Sequence, residues 1–447
     1  MEENFRALLE ESLGKTVAAK AIPALGEPAS VSIRLNPSKK EKIMSGLPET
    51  ESPVMWSKYG YFLKERPSFT LDPLFHAGAY YVQDSSAMFV GHAFRSILPG
   101  LGYRPFLSVL DLCAAPGGKT TDLLSSLREA RGDDFFLVAN EVMSQRATVL
   151  CDNTARWGDS SVAVTGADPS AFGKYPGAFD IILADVPCSG EGMFRKDAEA
   201  LRQWSRENVA LCQARQRRIL SDVWPALSDG GYLIYSTCTF NHFENDDNAR
   251  WIAETLGAEI VGDIPVCEGV IKTKEGFALV PGMVRGEGQY CAVLRKTGGP
   301  HPQQSRGKAP RPEMKNTFLD EPRLSIIRRG ELYVAVPEAA HRLYGVLEGI
   351  KPLRLGIAVG TVKGKDFIPH PDLALARSLS AGAFASCDVT LQDALAFLRR
   401  ENIMPGDAPK GYIVLKYNGL PLGFVKNLGN RCNNLLPQGR RIKNSFL

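Results

Sequence analysis

The chain has 447 residues, 44% hydrophobic and 23% charged, an ordinary globular composition that allows about three domains and a sizeable buried core. A formal net charge of +4 with a pI near 8.5 is mildly basic and neither demands nor excludes nucleic acid. Nine scattered cysteines, odd in number and without a CxxC pair, indicate neither a disulfide framework nor a zinc site and fit a reducing compartment.

The amino terminus, Met1-Glu2-Glu3-Asn4-Phe5, carries acids where a secretory signal carries bases, and no 18-residue apolar run follows. The expectation is a soluble cytoplasmic protein with no membrane partner. Apolar spacing predicts a helix from Phe5 to about Leu13, and Val31 to Leu35 alternates like a strand ending at Asn36-Pro37. This lead region shows no obvious chemistry. Near Tyr80 to Met88, Ser85 is placed to cap a helix leading into the core, or the segment is a plain packing helix.

From Phe106 the strand and helix signals alternate. Strands are predicted at Phe106–Leu112, Phe135–Ala139, Val162–Thr165, Phe179–Ala184 and Tyr232–Tyr235, with helices at Thr120–Leu127, Met143–Arg156 and Val209–Leu220 between them. Such alternation predicts a parallel, doubly wound sheet whose ligands sit outside the carboxyl ends of the strands. A last pair, Phe277–Val280 and Tyr290–Leu294, is expected to close the sheet antiparallel.

The polar residues cluster at those strand ends. In Asp111-Leu112-Cys113-Ala114-Ala115-Pro116-Gly117-Gly118-Lys119, the two glycines leave room for a ligand to approach the backbone, and the helix that follows offers free amides to an anionic group. The GxGxxG spacing of a dinucleotide fingerprint is absent. Glu141, just over 20 residues on, ends the next strand where a carboxylate accepts from ribose hydroxyls, pointing to an adenosyl ligand. Asp168, after the third strand, is an acceptor for an adenine amino group or a turn residue. Downstream lie Cys188, in Asp185-Val186-Pro187-Cys188, and Cys238, in Ser236-Thr237-Cys238-Thr239, an order that suggests a thiol working beside a nucleotide-like cofactor. Cytosine carbon 5 is too electron-poor to take a methyl group unaided, and a thiolate added at carbon 6 makes it enamine-like. Cys113 is expected to pack or to line the site through its backbone, while Cys151, Cys212, Cys267, Cys291, Cys387 and Cys432 read as packing residues.

The segments from Asp111 to Lys119, Ala184 to Asp197 and Tyr235 to Asn245 closely resemble the NOL1/NOP2/Sun family of RNA 5-methylcytosine methyltransferases. The resemblance runs from about Ser32 to the carboxyl end, where Gly419 to Lys426 looks like the tail domain of the bacterial ribosomal-RNA branch, the RsmF-like enzymes. It implies S-adenosyl-L-methionine as methyl donor, held by Cys113, Ala114, Ala115, Pro116, Gly117, Gly118, Lys119, Glu141, Asp168 and Asp185. It further implies Cys238 as nucleophile, Cys188 as helper in product release, and Asp185 as stabiliser of the activated base. Val186 stands where the commonest family pattern has Ala, a departure that touches fine geometry rather than chemistry. The second cysteine favours RNA, because DNA cytosine methyltransferases resemble this core but lack it.

The Gly/Pro/Ser-rich stretch from Gly298 to Pro312 reads as a linker. Beyond it, strands are expected at Leu332–Val336 and Leu353–Val362, a helix at Leu391–Leu398, and a hairpin-like pair at Gly411–Lys416 and Gly423–Lys426. The resemblance makes this a PUA-like RNA-binding module. From Lys410 onward Lys410, Lys416, Lys426, Arg431, Arg440, Arg441 and Lys443 meet no acidic residue, a one-signed tail that suits a polyanion or simply a solvated face. Arg195, Lys196, Lys426 and Arg431 are the candidate RNA contacts.

The expected fold is α/β: a Rossmann-like methyltransferase core with a mostly parallel sheet, a small N-terminal α+β region and a C-terminal PUA-like RNA-binding domain. Its expected divisions are an N-terminal RNA-binding or lead region at 1–100, the S-adenosylmethionine-dependent core at 101–297, a linker at 298–320 and the C-terminal RNA-binding region at 321–447. The expected function is methylation of cytosine carbon 5 in RNA, most naturally 16S ribosomal RNA, with no metal and no DNA partner. A ribosome-assembly RNA-binding protein and a transfer-RNA methyltransferase are the alternatives left open.

Overall fold

The computed structural model describes residues 2–43, 45–102, 104–298, 310–404, 406 and 408–443. Residues 299–309 of the expected linker lie outside the described residues. The centre is a ten-stranded mixed sheet made of β1 (Leu107–Asp111), β2 (Phe135–Asn140), β3 (Val162–Thr165), β4 (Phe179–Asp185), β5 (Leu227–Thr237), β6 (Ala258–Ile260), β7 (Ile271–Lys272), β8 (Phe277–Leu279), β9 (Gln289–Lys296) and β10 (Arg354–Leu355). Their order is β7-β8-β9-β5-β4-β1-β2-β3-β10, with β6 also on β9. The five strands from β3 to β5 run parallel and the flanking ones antiparallel. β1 and β2 are buried along their whole length, as interior parallel strands covered on both faces must be. Helices α1 (Gly118–Arg131), α2 (Ser144–Trp157) and α3 (Arg206–Val223) connect them. Among the described residues no helix is long and apolar enough to cross a membrane.

The lead region does more than precede the core. Its four-stranded sheet contributes Arg34, whose side chain is 1% exposed and sits 4.8 Å over the Trp157 ring. Arg34 Nε donates to Gln83 Oε1 at 2.9 Å, and Nη2 donates to Thr121 Oγ1 at 2.5 Å and Gly118 O at 3.0 Å, so one guanidinium holds the first turn of α1. Lys39 Nζ donates to Arg156 O at 2.6 Å and Asn36 Nδ2 to Trp157 O at 3.2 Å, satisfying carbonyls that the end of α2 leaves without helical partners. The N-terminal helix Glu2–Leu13 buries Phe5, Leu8 and Leu9 against Trp204, Val209, Phe240 and Val280, each burial worth about 1.5–3 kcal/mol.

Two expectations change. Ser85 does not cap through its side chain: the 3-10 turn Ser86–Met88 is entered with Ser85 already helical, Asp84 Oδ1 accepts from Ser86 N at 3.0 Å, and the Ser85 hydroxyl donates to Arg285 O. The single strand expected at 353–362 breaks at Gly356, where φ is 53° and a Cβ would collide with Ala335 O. The first piece, β10, joins the core sheet beside β3, and the second, Ile357–Lys363, enters a four-stranded sheet of the tail. The N-terminal and C-terminal regions pack together: Ile33, Leu35 and Leu74 share one apolar cluster with Leu395, Phe397 and Ile413.

Replacing Arg34 with Met should destabilise the protein by roughly 3 kcal/mol, as expected for losing a buried, multiply bonded charge. Urea denaturation checks it.

Candidate active site

The carboxyl ends of β1, β2, β4 and β5 bring the predicted polar residues to one edge of the sheet. After β1 the chain turns through Gly117, at φ 109°, into α1. Gly118 has a further reason to be small: a Cβ there would press on Tyr81 Cε1 at 3.2 Å and Gln83, so its smallness also serves packing against the lead region. Two carboxylates at these strand ends keep a buried oxygen without a partner. Glu141, at the end of β2, uses Oε1 to accept from Met143 N at 3.0 Å, while Oε2 lies 3.3 Å from Arg146 with no hydrogen bond. Asp111 accepts from Thr120 Oγ1 at 2.6 Å through Oδ2 and leaves Oδ1 unpartnered. Burial pushes the Asp111 carboxyl up to about 7, against the Thr120 hydrogen bond. Buried polar atoms are normally bonded, so these oxygens mark where donors from a ligand would fit.

Asp168 is exposed and its Oδ1 accepts from Ser170 N at 3.0 Å and Ser170 Oγ at 2.7 Å, capping a short helix. That occupies one of its oxygens. Cys113 lies within the turn, and burial raises its thiol pKa.

At the end of β4, Asp185 accepts from Lys119 Nζ at 2.9 Å, Ser236 Oγ at 2.7 Å and Gln289 Nε2 at 3.3 Å. Burial opposes charge on Lys119, but Asp185, with a further contribution from Cys238, more than offsets it and raises the ammonium's pKa. Beyond Asp185 the two cysteines meet: Cys188 Sγ and Cys238 Sγ are 3.1 Å apart, both thiols are free, and both are partly exposed. The Cys238 contact first, then burial and the charge of Cys238, raise the Cys188 pKa well above the usual thiol value.

What holds the sulfurs together is a pair of buried carboxylates that the sequence reading missed. Glu191, in the Cys188 loop, accepts from Phe240 N at 2.7 Å, Asn241 N at 3.1 Å, Asn241 Nδ2 at 3.0 Å and Trp204 Nε1 at 2.9 Å. Glu244, in the Cys238 loop, accepts from Ser189 N at 3.0 Å, Asn241 Nδ2 at 2.9 Å and Gln216 Nε2 at 2.7 Å. Each loop thus carries an acid that binds the amides of the other. The only signal in the sequence was two acids, each following one of the cysteines within a loop rich in amide and hydroxyl residues.

The expected RNA contacts divide. Arg195 is mostly turned inward: its side chain is 7% exposed, its Nε lies 3.3 Å from Glu287, and its other nitrogens donate to Pro28 O and Gly286 O. Much of its hydrogen-bonding capacity is thus spent within the protein. Lys196 is exposed, 3.9 Å from the same Glu287. Lys426, over the Tyr412 ring at 5.0 Å, and exposed Arg431 lie far along the chain on and beside the hairpin strand Leu420–Asn427. Arg440 leaves the free basic set because it pairs with Asp152 at 3.0 Å and Asp372 at 2.7 Å.

Family models match three stretches: the 16S rRNA methyltransferase RsmB/F over residues 104–295, the N-terminal domain of 16S rRNA methyltransferase RsmF over 1–85, and the methyltransferase RsmF PUA domain over 384–442. A ribosomal RNA small subunit methyltransferase F from Escherichia coli is 31% identical over 472 residues, covering 97% of this chain and 95% of its own. The chain belongs to that family. The protein of the same name from Klebsiella pneumoniae is 32% identical and covers 87% of this chain and 84% of its own. A methyltransferase homologue from Pyrococcus horikoshii, 25% identical, superposes with a TM-score of 0.51 over 65% of this chain and 93% of its own. NSun6 from the same organism, at 18% identity and a TM-score of 0.50 over 66% and 98%, shares the fold. The chain is accordingly a methyltransferase with a mixed-sheet core, an N-terminal domain and a C-terminal PUA domain.

Replacing Glu191 with Gln, which turns an amide NH2 toward donors, should cost about 1.5–3 kcal/mol, the worth of a hydrogen bond to a charged group. Urea denaturation measures the loss, and methyl transfer should fall with it.

Proposed function

We propose that this chain transfers a methyl group from S-adenosyl-L-methionine to carbon 5 of a cytosine in 16S ribosomal RNA, through a covalent bond from Cys238 to carbon 6. The observation that carries the reading is the 3.1 Å approach of Cys188 and Cys238 beside the Asp185–Lys119 pair. The residues fit the cofactor: the unpartnered oxygens of Glu141 and Asp111 suit hydroxyl and ammonium donors, and the turn from Cys113 to Lys119 supplies a side-chain-poor backbone. Asp168 completes the set through its second oxygen. When bound, the cofactor supplies an electrophilic methyl group on a sulfonium, whose positive charge makes the remainder a good leaving group.

The protein's own steps follow from its geometry. Cys238 as thiolate adds to carbon 6, since the thiol itself is a poor nucleophile. Negative charge then spreads toward nitrogen 3 and oxygen 2, where the Asp185–Lys119 pair binds the ring edge and Lys119 supplies positive charge. After transfer, the proton on carbon 5 must leave before Cys238 is expelled. Cys188, 3.1 Å from Cys238, is placed to assist that release. The target base leaves its stack to reach this pocket, while the PUA domain, with Lys426 and Arg431, and exposed Lys196 engage the RNA backbone. A protein acting on ribosomal RNA would work in the cytoplasm.

Cys238→Ala should abolish transfer to undermodified ribosomal RNA, and Cys188→Ala should accumulate a protein–RNA adduct visible as a retarded band on denaturing gels. Bisulfite sequencing of ribosomal and transfer RNA from cells with and without the protein identifies the modified cytosine. Retained methylation by Cys238→Ala would instead favour an RNA-binding role in ribosome assembly. Cofactor affinity should also weaken as pH falls through about 7, where the Asp111 carboxylate takes up a proton and loses its attraction for a cation. Asp111→Asn should show the weak, pH-independent affinity in calorimetric titration.

A further inference from the structure

We infer that Cys188 and Cys238 form a site of reversible oxidative modification, in which a hydroperoxide converts the pair into an intramolecular disulfide. Four observations meet here. The sulfurs are 3.1 Å apart, so closing the bond requires an approach of about 1 Å to reach a normal S–S length. Both thiols are free and partly exposed, whereas Cys212, Cys291 and Cys432 are buried. The attacking group of the proposed transfer chemistry is a thiolate at Cys238, and thiolate character with solvent access is what makes a cysteine sensitive to peroxide. Finally, the neighbour needed to resolve the oxidised sulfur is already fixed beside it by Glu191 and Glu244, which tie the two loops together.

The chemistry balances in two steps. Cys238 sulfur attacks the outer oxygen of the hydroperoxide and an S–O bond forms as the O–O bond breaks, which leaves sulfenic acid on Cys238 and releases an alcohol (or water, from hydrogen peroxide) that carries the thiol proton. Cys188 sulfur then attacks the sulfenic sulfur, an S–S bond forms as the S–O bond breaks, and the Cys188 proton leaves with the hydroxide as water. Sulfur is oxidised and peroxide oxygen reduced, and a dithiol reverses the change by exchange. One consequence separates this pair from a single reactive thiol. Without Cys188 the sulfenic acid has no resolving partner and proceeds up the oxidation ladder to sulfinic acid, which a dithiol does not reverse.

The test uses the full chain, reduced and then exposed to hydrogen peroxide, with intact-mass and peptide mapping. The expected product has lost two hydrogens and yields one peptide pair joining Cys188 to Cys238, restored by dithiothreitol. Cys188→Ala and, as a second variant in case that one misfolds, Cys188→Ser should lack the joined pair and gain oxygen at Cys238. Oxidation of partly exposed Cys151 or Cys267 ahead of Cys238, or a Cys188→Ala variant as reversibly oxidised as the parent, would overturn the inference. Because the readout is mass, it stands apart from the functional reading: methyl transfer by the reduced protein tests that reading, and only the loss and recovery of transfer on oxidation and reduction rests on both.

Discussion

Two buried carboxylates hold the chemistry of this protein in register. Glu191 and Glu244 each accept hydrogen bonds from the loop opposite their own, and the shared donor Asn241 binds both. Charge taken out of water is tolerated only where it is bonded, and here the compensation consists of the amides that shape the two cysteine loops. Burial raises the Glu244 pKa, a measure of the desolvation that those donors must offset. The same bonds that stabilise the acids therefore fix the distance between the sulfurs.

Around that clamp the remaining parts act as supports. The sheet delivers Asp111, Glu141, Asp185 and Cys238 to one edge because parallel strands present their carboxyl ends together. Arg34 and Lys39 of the lead region bind backbone carbonyls at the start of α1 and the end of α2, so the turn that precedes α1 is anchored from outside the core. The helix Glu2–Leu13 lies over the loops, with Ser12 Oγ accepting from His242 N at 3.0 Å. β10 and the Arg440–Asp152 ion pair hold the tail against the core, which gives a PUA domain a defined position relative to the pocket.

Much of this was legible along the chain. The alternation from Phe106 to Tyr235 reports the parallel core because β-branched and aromatic runs bounded by turns leave few other folds. The strand-end acids and the cysteine loops were visible because chemistry-bearing residues sit beside glycine and proline. What was not legible depends on contacts distant in sequence. Gly118 reads as ligand clearance alone, and its packing against Tyr81 is invisible in the sequence. Arg195 reads as a phosphate contact until Glu287, some ninety residues on, takes its charge. Nothing local to Leu353–Val362 tells a two-residue strand that it belongs to another sheet, and no periodicity reveals that the lead and tail regions share a core.

The central claim is that Cys238, with Cys188 at its side, is the sulfur that bonds the base. RNA carrying 5-fluorocytosine at the target position tests it directly, because fluorine in place of the carbon 5 hydrogen blocks release after transfer. Digestion and mass mapping of the trapped complex should find the nucleotide on Cys238. A nucleotide on Cys188, or no covalent complex with cofactor present, would contradict the account.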